Sequence, residues 1–240
     1  MTIKRINLWS SPRNISTAMM YSFAQRPDTI VFDEPLYAHY LSVTGIDHPG
    51  KEEILQSQEN DGDKVVQHLM LKDYEKPVAF FKQMTHHLVS LDESFLTKFS
   101  NIIFIRDPKQ IISSYSAVRP DVTMQDIGMQ KQWQLYNQLC EKGFPPVVLD
   151  SNEMLAAPQK VLQQLCDALG IIFFEQMLHW QAGARPEDGV WAKYWYANVH
   201  ASTGFEKQNT SSRELPEYLQ PLYEECKPLY EQLYIHSIKA

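Results

Sequence analysis

Residues 10–17, Ser-Ser-Pro-Arg-Asn-Ile-Ser-Thr, bring together side chains and a local pattern suited to holding an anion. Ile3–Trp9 before them reads as a short buried strand. From Ser16 onward, Met19, Met20 and Phe23 fall on one face of a helix. A strand that turns tightly into a helix N-terminus aims several free backbone N–H groups at one point. The helix dipole makes that point attractive to phosphate or sulfate. Arg13 adds a permanent cation with a planar fork, and Ser16 and Thr17 add hydroxyl donors. The same residues also read as an ordinary strand–loop–helix corner with a capping serine, and local sequence leaves both readings open. An ATP-binding loop of the form GxxxxGK(S/T) matches poorly. Ser10 and Ile15 occupy its glycine positions and Ser16 its lysine position; only Thr17 agrees.

Further elements must position any such site. Thr29–Phe32 reads as a second strand ending in Asp33-Glu34-Pro35, Pro77–Gln83 as a third, Asn101–Ile105 as a fourth and Pro146–Leu149 as a fifth. Such continuous apolar runs suit strands covered on both faces. Asp107-Pro108 supplies an N-cap and a first-turn proline for a helix carrying Ile111, Tyr115 and Val118. Gln125–Lys142 is expected to be one amphipathic helix with Met129, Trp133, Tyr136 and Cys140 on a common face. Pro158–Leu169 turns Val161, Leu165 and Leu169 inward and stops at Gly170. Pro216–Tyr234 presents Leu219, Leu222, Cys226, Leu229 and Leu233. Tyr37–Val43 is of mixed aromatic and polar character. Gly45–Lys64 reads as a surface excursion with a short helix at Glu52–Gln58. Ala182–Arg213 reads as an irregular element packed by Trp191, Tyr194, Trp195 and Tyr196. The alternation predicts an α/β, three-layer sandwich around a mostly parallel sheet, in a single domain over residues 1–240.

Composition narrows the function. The chain of 240 residues is 44% hydrophobic and 21% charged, as in a globular protein with a substantial core. No apolar run approaches the roughly 18 residues of a membrane span, and no charged-then-apolar leader opens the chain, so a cytoplasmic protein without membrane insertion is expected. Cys140, Cys166 and Cys226 are too widely spaced for a zinc site or a disulfide framework and are expected in or near the core. A net charge of −7 argues against nucleic acid as a partner. An anionic ligand would then need a local basic pocket.

The stretch Ile102–Tyr115, IIFIRDPKQIISSY, supplies a second candidate: Arg106 at a strand end and Ser114 eight residues later on the next helix. With the first loop, in this order and each at a strand-to-helix junction, it resembles the sulfotransferase superfamily, with the closest likeness to small bacterial sulfotransferase-like proteins bearing SPRN-S-TA and FDEP stretches. Those enzymes take a sulfuryl group from 3′-phosphoadenosine-5′-phosphosulfate (PAPS) on a P-loop-type α/β fold. The resemblance implies that Ser11, Pro12, Arg13, Asn14, Ile15, Ser16 and Thr17 hold the 5′-phosphosulfate, and that Arg106, Pro108 and Ser114 match the motif for the 3′-phosphate. Asp150–Gly170 is similar to a segment of the family. Two departures stand out. Ile15 replaces the family's loop glycine, and a later Gly-x-x-Gly-x-x-Lys element is missing, with Gly204–Lys207 as its remnant and Lys207 as a nucleotide contact.

On this resemblance the expected activity is sulfuryl transfer from PAPS to a hydroxyl or amine of a small-molecule or carbohydrate acceptor, without a metal. Arg13 would neutralise charge on the departing 5′-phosphate. Glu34 matches a glutamate used as base in several carbohydrate sulfotransferases, and equally reads as part of a polar turn paired with an arginine. His86 and His87 are alternative bases, of which one at most would face a given site, since neighbours on a helix point about 100° apart. Lys82, ending the third strand, would assist a phosphosulfate oxygen or simply reach solvent. A nucleotide-binding module without chemistry, motivated by Ile15, and a P-loop kinase, opposed by the missing lysine, are the alternatives.

Overall fold

A computed structural model describes residues 3–117, 121–206 and 215–240. Five strands, β1 (Lys4–Ser10), β2 (Thr29–Asp33), β3 (Val78–Met84), β4 (Ser100–Ile105) and β5 (Val147–Asp150), form one sheet in the order β2-β3-β1-β4-β5, with every pairing parallel. The longer helices are α1 (Ser16–Ala24), α2 (Tyr37–Thr44), α3 (Lys51–Ser57), α4 (Pro108–Ser116), α5 (Met129–Glu141), α6 (Pro158–Leu169) and α7 (Gln220–Tyr234).

The strands alternate between two cores. Trp9, Ala79, Phe81, Ile103, Ile105 and Val148 face one side, with residues of α4, α5 and α7. Ile6, Leu8, Val78, Phe80, Ile102, Phe104 and Leu149 face the other, with residues of α1 and α6. This is why the runs read as apolar throughout: period-two alternation divides them between two covered faces. Each such Val, Leu, Ile or Phe side chain, taken wholly out of water, contributes about 1.5–3 kcal/mol. A third cluster joins Tyr37, Tyr40 and Leu41 of α2 to Trp191 and Tyr196. Cys166 and Cys226 are buried and Cys140 half-buried, all as free thiols.

Local readings shift in three places. Residues 37–44 are helical, because α2 buries Tyr37, Ala38, Tyr40 and Leu41 against the distant Trp191 segment. The long amphipathic helix is divided at Gly128, whose φ of 74° ends the short helix Met124–Ile127 and starts α5 afresh. The buried positions of α5 are Met129, Gln132, Leu135 and Leu139, while Trp133 and Tyr136 stack on each other at the flank. Gln132 is buried because its amide donates to the Phe104 carbonyl at 3.1 Å and the Trp9 carbonyl at 3.4 Å, at the ends of two strands. Trp191, Trp195 and Tyr196 pack with α2 as well as with one another while Tyr194 is exposed, and Val118 lies outside the described residues.

Gly128 gives a stability test. A Cβ there would find its nearest neighbour at 3.9 Å, so space is available and only the left-handed backbone resists. Gly128→Ala should cost about 1–2 kcal/mol, read as a lower urea midpoint; a variant as stable as the parent would remove this role from the glycine.

The sheet register sets the site. Ser10 of β1 stands level with Met84 and Phe104, and Asp33 of β2 level with Lys82 of β3. The loops after β1, β2, β3 and β4 therefore emerge together at the carboxyl edge, where open parallel sheets place their ligand crevice.

Candidate active site

A cavity of about 540 Å³ opens at that edge. One end is walled by the first loop, Pro12–Thr17, with Arg106 and Ser114. The other holds Glu34, Lys82, His86 and His87 with Trp191 and Tyr196, and a hydrogen bond between Thr17 and Tyr196 joins the two. Elements far apart in the chain thus share one space.

At the first end the two strand-to-helix loops meet in direct contact. Arg13 donates from Nε to the Ser114 hydroxyl at 3.0 Å, and Arg106 donates from Nη1 to the Arg13 carbonyl. Arg106 also donates from Nε to Gln110 at 3.0 Å. Asn14 pins the loop to β4 by donating to the Phe104 carbonyl at 3.0 Å. No side chain caps α1, and its first residues, Ser16, Thr17 and Ala18, line the cavity at the positive end of the helix dipole. Burial, and then the neighbouring Arg13, lower the proton affinity of Arg106, with Asp107 and Asp150 opposing the shift.

Ile15 fits its place. Its φ of −89° is open to any residue, and its side chain joins the core formed with α1. The left-handed position falls instead on Arg13, at φ 57°, a strain of about 1–3 kcal/mol for a non-glycine residue. Ser11 is fully buried behind the loop. Lys207 lies outside the described residues.

At the second end Glu34 also adopts a left-handed backbone, φ 42°, directly after β2. Its N–H donates to the Lys82 carbonyl at 2.8 Å, and its carboxylate accepts a hydrogen bond from the Lys82 ammonium. Lys82 does not reach solvent: its side chain is wholly buried and also donates to Asp33 at 3.0 Å and to the Tyr196 hydroxyl at 2.8 Å. Burial raises the Glu34 carboxyl above the usual range, with Lys82 opposing and Asp33 reinforcing the rise. Burial pushes Lys82 down, but the two carboxylates together outweigh it and hold the ammonium protonated. The His87 Nε2 lies 3.9 Å from Glu34. Burial, then the charge of His48, pushes His86 down to about 4, and burial, then His86, pushes His87 well down, so both imidazoles are neutral at pH 7.

Sequence reasoning missed Asp33, Tyr196 and Trp191 as members of this cluster. Asp33 read as half of a polar turn and the other two as aromatic packing. The Tyr196 hydroxyl instead contacts Asp33 at 2.7 Å and Trp191 Nε1 at 3.1 Å. The only local hint was a tyrosine, with its polar handle, inside an apolar cluster. Asp188 anchors the same segment through Tyr21 at 2.7 Å and His200 at 2.9 Å.

Among the described residues no helix is long and apolar enough to cross a membrane, and no group of His, Cys, Asp and Glu is placed to hold a metal ion. A family profile described as a sulfotransferase domain matches residues 4–233. The chain is 40% identical over 232 residues to "Branched-chain-amino-acid aminotransferase-like protein 2" and to "protein 1" of that name, both from Arabidopsis thaliana. Those matches cover 96% of this chain but 41% and 42% of the relatives, so the chain spans about two-fifths of their length. Among solved structures, the sulfotransferase domain from the curacin biosynthetic pathway superposes with a TM-score of 0.59, at 18% identity, over 97% of this chain and 98% of that one. The sulfotransferase domain of the Synechococcus PCC 7002 olefin synthase does so with 0.54, at 16% identity, over 99% and 97%. These structural likenesses concern the fold.

Proposed function

The chain belongs to the sulfotransferase-domain family, and from that membership we propose that residues 1–240 act as one domain that moves a sulfuryl group from PAPS to a hydroxyl or amine of a small-molecule or carbohydrate acceptor. The observation that carries this reading is the shared cavity: two cationic strand-to-helix loops in contact at one end, and a buried carboxylate at the other. A doubly phosphorylated donor needs the first, and an acceptor proton needs the second.

The acceptor oxygen forms a bond to sulfur while the bond from sulfur to the 5′-phosphate oxygen breaks, and the acceptor proton passes to Glu34. As in phosphoryl transfer, the protein mainly positions the groups and stabilises spreading charge. The uncapped end of α1, with Ser16 and Thr17, receives the 5′-phosphosulfate, and Arg13 neutralises the departing phosphate. Arg106 and Ser114 take the 3′-phosphate. Glu34 is favoured as the base over His86, because a carboxyl raised by burial attracts a proton and an imidazole pushed down to about 4 does not. Lys82 has its donors committed to Asp33, Glu34 and Tyr196, which argues against a part on the phosphosulfate.

Turnover of labelled PAPS with a panel of alcohols, phenols and amines tests the reading. A sulfated product is expected, and nucleotide binding without transfer to any acceptor would contradict it. Arg106→Ala tests the donor end. Loss of a hydrogen-bonded charge costs about 1.5–3 kcal/mol, so affinity for 3′,5′-phosphoadenosine should fall roughly 10- to 100-fold. Adenosine 5′-monophosphate, which lacks the 3′ group, should bind as before. Equal losses for both ligands in calorimetry would take Arg106 off the 3′-phosphate.

A further inference from the structure

We infer that Asp33 and Tyr196 are positioning residues: they divide the Lys82 charge between two carboxylates and so leave Glu34 as the one proton acceptor of the cluster facing the cavity. This rests on the reading of Glu34 as base. The hydrogens of the cluster can be assigned one by one. Lys82, at the end of β3, has three hydrogens and meets three acceptors: Asp33 Oδ1, Glu34 Oε1 and the Tyr196 oxygen. An ammonium and an indole N–H can only donate. The Tyr196 oxygen therefore accepts from Lys82 and from Trp191 Nε1, with the Thr17 side chain also hydrogen-bonded to it, and its own hydrogen goes to Asp33. Asp33 Oδ2 also accepts the Gly189 N–H at 3.1 Å. Among the described residues, Lys82, Tyr196 and the Gly189 N–H all donate to Asp33. Glu34 Oε2 lies on the other side of its carboxylate, toward His87.

The charges facing Glu34 come from several elements. Lys82 approaches from β3, Asp33 from β2, and His87 from the turn after β3. Tyr196 comes from the 192–200 segment, and Tyr37 from α2, with His48 at 2.8 Å from the Tyr37 hydroxyl. Lys82 is the cation among them that touches Glu34, and if it served Glu34 alone it would hold that carboxylate ionised and make it a poor base. Asp33 takes part of the charge away. Tyr196 moderates this, since its donated hydrogen bond stabilises Asp33 and weakens its pull on Lys82. The segment Gly189–Tyr196, remote in sequence, thus completes the base.

The two residues should move Glu34 in opposite directions. The intact chain is labelled with ¹³C at the glutamate side-chain carboxyl and titrated by NMR, the resonance lost in Glu34→Gln identifying Glu34. In Asp33→Asn, Lys82 falls to Glu34, whose titration should move down by about one unit, roughly tenfold in proton affinity. In Tyr196→Phe, Asp33 draws Lys82 harder and the Glu34 titration should move up a few-fold in affinity. A purely structural role predicts no such opposed pair. Titrations that stay in place, or move together, overturn the proposal, and either variant tests it if the other fails to fold. The readout needs no turnover, so the proposal and the base assignment fail separately: opposed shifts with a fully active Glu34→Gln enzyme would sink the base assignment alone.

Discussion

Glu34→Gln should slow transfer by roughly 10²- to 10⁴-fold, the usual loss on removing a general base, while affinity for 3′,5′-phosphoadenosine stays unchanged. The substitution is nearly isosteric, and the Glu34 carboxylate is held by Lys82 while Arg13 is held on Ser114. The loss should shrink as the acceptor becomes more acidic, because a nitrophenol ionises without help and an aliphatic alcohol does not. The parent enzyme should also lose activity toward acid pH earlier than an ordinary carboxylate base would. The active form is the deprotonated one, present above the Glu34 titration and lost as pH falls through it, and burial sets that titration high. Rates across phenols and alcohols of graded acidity check the first statement, and the pH–rate profile of the parent enzyme checks the second. Equal slowing across the series would move proton removal to His86, His87 or water.

Arg13→Ala should lower the rate of the transfer step with every acceptor, by about 10²- to 10³-fold, the cost of removing one donor aimed at developing charge. The guanidinium belongs to the donor end: it sits on the left-handed turn of the first loop, with its Nε on Ser114. Its loss should also weaken 3′,5′-phosphoadenosine, since the 5′-phosphate remains in that product. Arg13→Lys should recover part of the rate, because a point charge can neutralise one bridging oxygen, but an ammonium cannot hold Ser114 and the phosphate with the same fork. Single-turnover rates with acidic and non-acidic acceptors distinguish this from an acceptor-side effect. Slowing confined to the less acidic acceptors would contradict the assignment.

The sheet was legible because each strand is buried on two faces, which writes itself as an unbroken apolar run such as Ile102–Ile105. The donor loops were legible because Arg13 and Arg106 stand within a few residues of a strand end and Ser114 lies on the helix that follows, so topology brings them to one edge. What stayed hidden depends on partners remote in sequence. Nothing near Lys82 says that its ammonium turns inward to Asp33, Glu34 and Tyr196. Nothing near Tyr37 says that Trp191 will cover its helix. Gln132 breaks the hydrophobic pattern of α5 because two strand-end carbonyls need a donor there. Ile15 departed from the family's loop glycine, and it fits because the left-handed turn falls two residues earlier, on Arg13.

The central claim is that the cavity is built for a nucleotide carrying phosphates at both the 3′ and 5′ positions. Calorimetric titration of the protein with 3′,5′-phosphoadenosine, adenosine 5′-monophosphate and ATP tests it most directly. Tighter binding of 3′,5′-phosphoadenosine than of either other nucleotide is the predicted result, and ATP binding as well or better would contradict it.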